Sequence, residues 1–290
     1  MKKFLAVILL VILMIPVAAF AKPLTVISMG FDKGGDEKIA VDRLHMNAVG
    51  HALAFIIPPN PDPNSVFVRI VKTHFKELAS NAKVLAKRNE GGTLFLTGEV
   101  TVDFDSLREI VKKENGNWQE ANTDDQAAFF VRVTGVDNEN LKQRAYQDVL
   151  STYQFVFENL GFKNIDEDVS EIVNAGAADE SFIDYCKRIN EEVENNGSIG
   201  YAVIGEIALN KLMEGETGTL WESTARMQAR RYDSKTTGDG LEGVLIFQFD
   251  DDYKLKGRDD NVAFFALRKA ALNSSRALAE HTLDYWKNHH

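Results

Sequence analysis

The stretch SIGYAVIGEIALNKL (residues 198–212) alternates apolar and other side chains around a central Gly-Glu. About a hundred residues earlier TLFLTGEVTVDFDSL (93–107) repeats the design. Period-2 alternation is the pattern of a strand with one apolar face. Two such strands in one chain predict two modules, each built around one of them. In the first copy Leu94, Leu96, Gly98, Val100, Val102 and Phe104 share the apolar face, and Glu99 lies opposite. In the second, Tyr201, Val203, Gly205, Ile207 and Leu209 share it, and Glu206 lies opposite. Both glycines therefore face the covering helices, where a missing side chain admits a close helix or a bulge. Both glutamates are expected to point outward as scaffold residues. With the following turn in MEGETG (213–218), Glu206 stands across from Thr224 or Arg226, which predicts a Glu206–Arg226 pair.

Outward from these strands, helical spacing marks 36–56, 66–82, 105–114, 138–160, 180–195 and 261–286. Strands are expected at 23–32, 83–88, 128–136, 219–233 and 244–249. The polar segment NGNWQEANTDDQ (115–126) has no apolar period and marks the boundary between modules. The expected organisation is an N-terminal module over 22–117 and an α/β sandwich over 118–290. The fold class is α+β or α/β, each module a small mixed or antiparallel sheet covered by helices.

The chain opens MKKFLAVILLVILMIPVAAFAKP. Two lysines, an apolar run of about twelve residues and Ala19-Phe20-Ala21 form a secretory leader over 1–21, with cleavage after Ala21. The run is shorter than the roughly 20 residues of a spanning helix. A periplasmic or secreted location follows, with no transmembrane segment after cleavage. Loss of Lys2 and Lys3 takes the formal charge from −10 to −12. That acidity argues against nucleic acid as a partner. The single cysteine, Cys186, shares a helix face with Phe182 and Ile189 and reads as a small core residue.

Local chemistry is sparse. Gly238, Gly240 and Gly243 have dinucleotide-loop spacing but precede a strand instead of opening a helix, so they read as a hairpin loop. Asp250–Asp252 and Asp259–Asp260 lack calcium-loop spacing and read as a solvated loop. The histidines show no zinc-helix pair. No catalytic, cofactor-binding or metal-ligating residue is assigned, and no cofactor is expected. The basic cluster Arg226, Arg230 and Arg231 is the candidate surface for docking a partner.

The helix IAVDRLHMNAVGHALAFI and the run LASNAKVLAKRNEGGTLFLTGEVTVDFDSL make the first module resemble the N-terminal domain of the flagellar assembly protein T family. AFFVRVTG, the helix to NLGF, GYAVIGEIAL, its hairpin partner and the Ala-rich terminal helix are similar to the α/β domain of TolB's N-terminal part and of the curli secretion protein CsgG. The resemblance implies a non-catalytic envelope protein that docks to protein partners, copies of itself included, within a ring or other assembly. The alternatives are an envelope hydrolase with a site between the modules, and a carrier of a small ligand or lipid.

Overall fold

The computed structural model describes residues 23–56, 66–114, 120–121, 123–136, 139–165, 169–176, 180–195, 199–215, 218–232, 243–257 and 261–290. The leader and most of the Gly238–Gly243 loop lie outside the described residues. The chain divides into two compact units, Met1–Trp118 and Gln119–His290. The fold is α+β, with two open sheets among the described residues.

In the first unit β1 (Pro23–Asp32), β2 (Ala79–Glu90) and β3 (Thr93–Asp103) form an antiparallel sheet in the order β1-β3-β2. Helices α1 (Glu37–Leu53), α2 (Val66–Leu78) and α3 (Phe104–Glu114) complete it. The turn from β1 into α1 is set by two aspartates. Asp32 accepts the amides of Gly34 and Asp36, and Asp36 caps α1 by accepting the amides of Lys38 and Ile39. The expected helix over 66–82 stops at Leu78, because Asn81 turns to a φ of 52° and the chain enters β2 through two bulges.

Helix α1 lies very close to the sheet. A β-carbon on Gly30 would stand 2.0 Å from the Ala40 carbonyl oxygen and 2.6 Å from the Leu44 amide. One on Gly98, the glycine of the first Gly-Glu, would stand 3.1 Å from the Leu44 side chain and 2.9 Å from the Lys83 carbonyl oxygen. Leu44 is wholly buried over this pair of glycines. Both expected uses of the glycine meet at Gly98, for Leu44 of α1 comes close to it and β2 is bulged beside it, where Val84 pairs with Gly98.

The second unit is a mixed five-stranded sheet in the order β5-β4-β6-β7-β8. Its strands are β4 (Gln126–Thr134), β5 (Lys163–Asn164), β6 (Ile199–Gly215), β7 (Gly218–Arg231) and β8 (Val244–Gly257). β5, β4 and β6 run parallel, and β6, β7 and β8 run antiparallel. Its helices are α4 (Glu139–Asn159), α5 (Ser170–Asn174), α6 (Phe182–Asn195) and α7 (Asn261–His289).

Both faces of β4 and β6 are covered. On one, Phe129 packs against Tyr153 and Phe157 of α4, and Tyr201 against Phe162. Tyr153 and Ser274 hydrogen-bond between α4 and α7, and Arg268 clamps Asp148 across the same pair of helices. On the other face Ala128, Phe130, Ala202 and Ile204 pack with Val173 of α5 and with Tyr185, Ile189 and Val193 of α6. The short helix α5 had no expected counterpart. It is held from outside, since Arg188 of α6 donates to the carbonyls of Ile172 and Val173 at its C-terminal end.

Two further expectations about the second sheet need correction. The run 250–257 is the second half of β8 and not a solvated loop. Its charges find opposite charges across the ladder, Asp250 beside Arg226 and Lys254 beside Glu222. Gly205 in the second Gly-Glu does not admit a helix. A β-carbon there would meet the Met227 sulfur at 2.4 Å and the Arg226 carbonyl oxygen at 2.3 Å, so the missing side chain makes room for the neighbouring strand's Met227, which is fully buried.

Candidate functional site

The register places Glu206 directly opposite Arg226. The expected ion pair between them is nevertheless absent from the contacts of either side chain. Glu206 turns toward the helices and takes the Arg132 Nε at 2.6 Å, while Arg226 leans the other way, 3.8 Å from Asp250. The cause lies in the layering. The face that carries Glu206 is roofed by α5 and α6 over β4 and β6, and Arg132 of β4 stands beside Glu206 under that roof. A guanidinium placed in an apolar strand requires carboxylate partners nearby.

Arg132 has a second partner in Glu180, 3.5 Å from its Nη1. Glu180 in turn accepts from Arg188 Nε and Nη2 at 2.8 and 3.0 Å, a two-pronged carboxylate–guanidinium pair. The chain Glu206–Arg132–Glu180–Arg188 thus joins β6, β4, the lead into α6, and α6 itself. Both guanidiniums also lie against the buried Tyr185 ring, at 4.5 and 5.4 Å from its centroid. Glu206, Arg132 and Glu180 keep only 18%, 17% and 11% of their side-chain surface in contact with water, enough burial to make the pairing obligatory.

The surroundings of Glu180 disfavour a proton on its carboxyl. Hydrogen bonding from Arg188, with the positive charge of Arg188 and Arg132 behind it, holds the Glu180 carboxyl below the usual glutamate range despite the opposing effect of burial. A general acid needs the opposite shift. A depressed folded-state pKa contributes stability that is complete above the unfolded value, about 4.3. That contribution is lost as pH falls toward the lowered folded value. Urea midpoints of the wild type are therefore expected to drop on acidification through this window, and those of Glu180→Gln to drop less.

Beside the cluster, burial pushes the Cys186 thiol up to about 11. It sits within the core beside Ile189, with Phe182 packed against the same core, as its helix spacing predicts. Such a thiol is a packing residue and a poor nucleophile.

The three arginines of the candidate docking surface are distributed over two faces. Arg226 and Arg230 share the face of Glu206. Arg226 is 54% exposed and its neighbour Asp250 is 59% exposed. Arg230 is held by the Gln228 side chain and the Gly243 carbonyl at 2.8 and 2.7 Å. Arg231 stands on the opposite face, 11% exposed, bonded to Asp125 at 2.9 Å and lying 4.6 Å over the Tyr201 ring. The structure brings Arg226 together with Asp250, Glu222 and Lys254 into an open charged ladder along β7 and β8. It does not bring Arg231 to that ladder. Among the described residues no group of His, Cys, Asp and Glu is arranged to hold a metal ion, and no helix is long and apolar enough to cross a membrane.

The network Arg132–Glu180–Arg188 escaped the sequence reading. A signal for it existed in AFFVRV, where a lone arginine interrupts a strand with apolar residues on both faces.

No protein-family model matches the chain, and no curated protein matches its sequence. Among solved structures it is similar to a neuraminyllactose-binding hemagglutinin homolog from Helicobacter pylori, at 11% identity and a TM-score of 0.34, over 59% of this chain and 94% of that one. It is also similar to the hypothetical protein CT253 from Chlamydia trachomatis, at 9% identity and a TM-score of 0.35, over 57% of this chain and 98% of that one. Neither is a flagellar assembly protein, and likenesses at this level bear on neither fold nor function.

Proposed function

We propose that this chain is an exported, non-catalytic cell-envelope protein that works as an interaction or assembly subunit. The observation that carries the reading is the half of one sheet face that no described helix of the second unit roofs. α5 and α6 close that face over β4 and β6 and leave β7 and β8 presenting Arg226, Asp250, Glu222 and Lys254. Exposed charges of both signs set out along a strand pair suit recognition of another protein surface by complementary charge. Two further points support the reading. The leader expected over 1–21 would carry the chain out of the cytoplasm, and the largely buried carboxylates Glu180 and Glu206 are neutralised by Arg132 and Arg188.

Affinity capture of the full chain from envelope fractions tests the proposal. The wild type is expected to bring down a discrete partner set, and Arg226→Glu to reduce that recovery about tenfold, the effect of reversing one interfacial charge. Equal recovery by wild type and variant would remove Arg226 from the docking surface. Recovery of the bare chain alone by the wild type would overturn the proposal.

A further inference from the structure

Among the described residues the two open sheets have four edge strands, and three of them are shielded, irregular or short. On β1 the carbonyl of Met29 accepts from the Asn47 side chain at 2.7 Å and that of Phe31 from Arg43 at 2.6 Å, both reaching over from α1. β2 is bulged twice and carries Asn81 at positive φ. β5 is two residues long. β8 is different. It is 14 residues long, pairs only with β7 among the described residues, contains no proline, and has its one irregularity far from its second half, opposite Ala229 and Arg230. Natural proteins rarely leave such an edge unguarded.

Its charges look like a guard, yet their order is self-complementary. The second half reads Asp250-Asp251-Asp252-Tyr253-Lys254-Leu255-Lys256. We propose that β8 pairs antiparallel with β8 of a second copy, about a twofold axis at Tyr253. In this register Asp252 of each copy faces Lys254 of the other, and Asp250 faces Lys256. Four opposite-charge pairs result, all on the face shared with Arg226 and Glu222, while α7 lies on the opposite face. Asp251 falls opposite Leu255 on that opposite face. A parallel pairing in register would set aspartate against aspartate and lysine against lysine, so the charges select one arrangement.

The existing partners of these groups do not oppose the pairing. Asp250, Asp252 and Lys254 are each more than half exposed, and their contacts within the chain, such as Asp252–Lys254 at 3.2 Å, are surface ion pairs that rearrange readily. The Asp252 amide is satisfied locally by the Asp251 carboxylate at 2.9 Å, a bond that the neighbouring strand's carbonyl would replace. The contact is isologous, so it closes at two chains and joins two five-stranded sheets into one of ten. The inference rests on the assembly reading above and names a partner for it, a second copy of this chain.

Sedimentation of the purified chain without its leader, at concentrations up to about 0.1 mM, tests this. The wild type is expected as a dimer at low salt that shifts toward monomer near 1 M salt, where screening is nearly complete. Lys254→Asp/Lys256→Asp makes every pair repulsive, as does Asp250→Lys/Asp252→Lys. Each variant alone is expected to self-associate at least about 100-fold more weakly, and an equimolar mixture of the two is expected to recover the dimer. A monomeric wild type, or a Lys254→Asp/Lys256→Asp variant that keeps the wild-type mass, would overturn the inference. Should circular dichroism show either variant unfolded, the fourfold swap Asp250→Lys/Asp252→Lys/Lys254→Asp/Lys256→Asp decides, dimer supporting and monomer overturning. A wild type that stays monomeric yet captures an envelope partner overturns this inference alone and leaves the assembly reading standing.

Discussion

Gly30→Ala is expected to cost the first unit about 3 kcal/mol or more, the range of severe overpacking. The new methyl would lie 2.0 Å from the Ala40 carbonyl oxygen, and backbone cannot swing aside as a side-chain tip can. Relief requires α1 to lift off β1, which in turn unpacks the buried Leu44 from Gly98. The control lies in the same helix. Gly50 has nothing within 4 Å of its would-be β-carbon, so Gly50→Ala is expected to gain about 0.5–1 kcal/mol from helix propensity alone. Urea unfolding of both variants checks the pair. Equal effects would show that helix composition, and not the close crossing of α1 over the sheet, governs this unit.

The second large effect is expected in the charged chain under α5 and α6. Arg132→Met removes the partner of Glu206 and one partner of Glu180, leaving carboxylates in a site with little access to water. A loss of about 3 kcal/mol is expected, the lower end of the cost of breaking a buried pair. Glu206→Leu alone leaves Arg132 with Glu180 and should cost less. The double variant Arg132→Met/Glu206→Leu should recover much of the loss, since an apolar pair can replace a buried ion pair at little cost. Chemical denaturation of the four proteins gives the coupling energy. Additive losses would mean that Arg132 and Glu206 act independently and that the network is incidental.

Much of the fold was legible because its period was legible. The alternation of Leu94, Leu96, Val100 and Val102 predicted a one-sided strand, and β3 is one, with its glycine under a helix. The polar run 115–126 has no apolar period, which is why a boundary between modules is expected there. The second Gly-Glu misled because one-face alternation was imposed on a strand that lacks it. Tyr201, Ala202, Val203 and Ile204 are all apolar, as are Ala127 to Val131, and continuous apolar runs belong to strands buried on both faces. With that reading Glu206 could not have been an outward residue, and Arg132 would have been its evident partner. Met227 over Gly205 and the α1 carbonyl over Gly30 were beyond reach, since they depend on how closely two backbones pass, which no local pattern encodes. Arg226, Arg230 and Arg231 cluster in sequence, and Arg226 and Arg230 share one strand face. Strand alternation alone sends Arg231 to the face opposite the other two.

The most direct test of an assembly role is the native mass of the exported chain, released from the envelope under mild conditions without cross-linking. The account predicts a particle heavier than one chain, whether from a second copy on β8 or from another protein on the charged ladder of β7 and β8. A single-chain mass at every salt and concentration tried would contradict it.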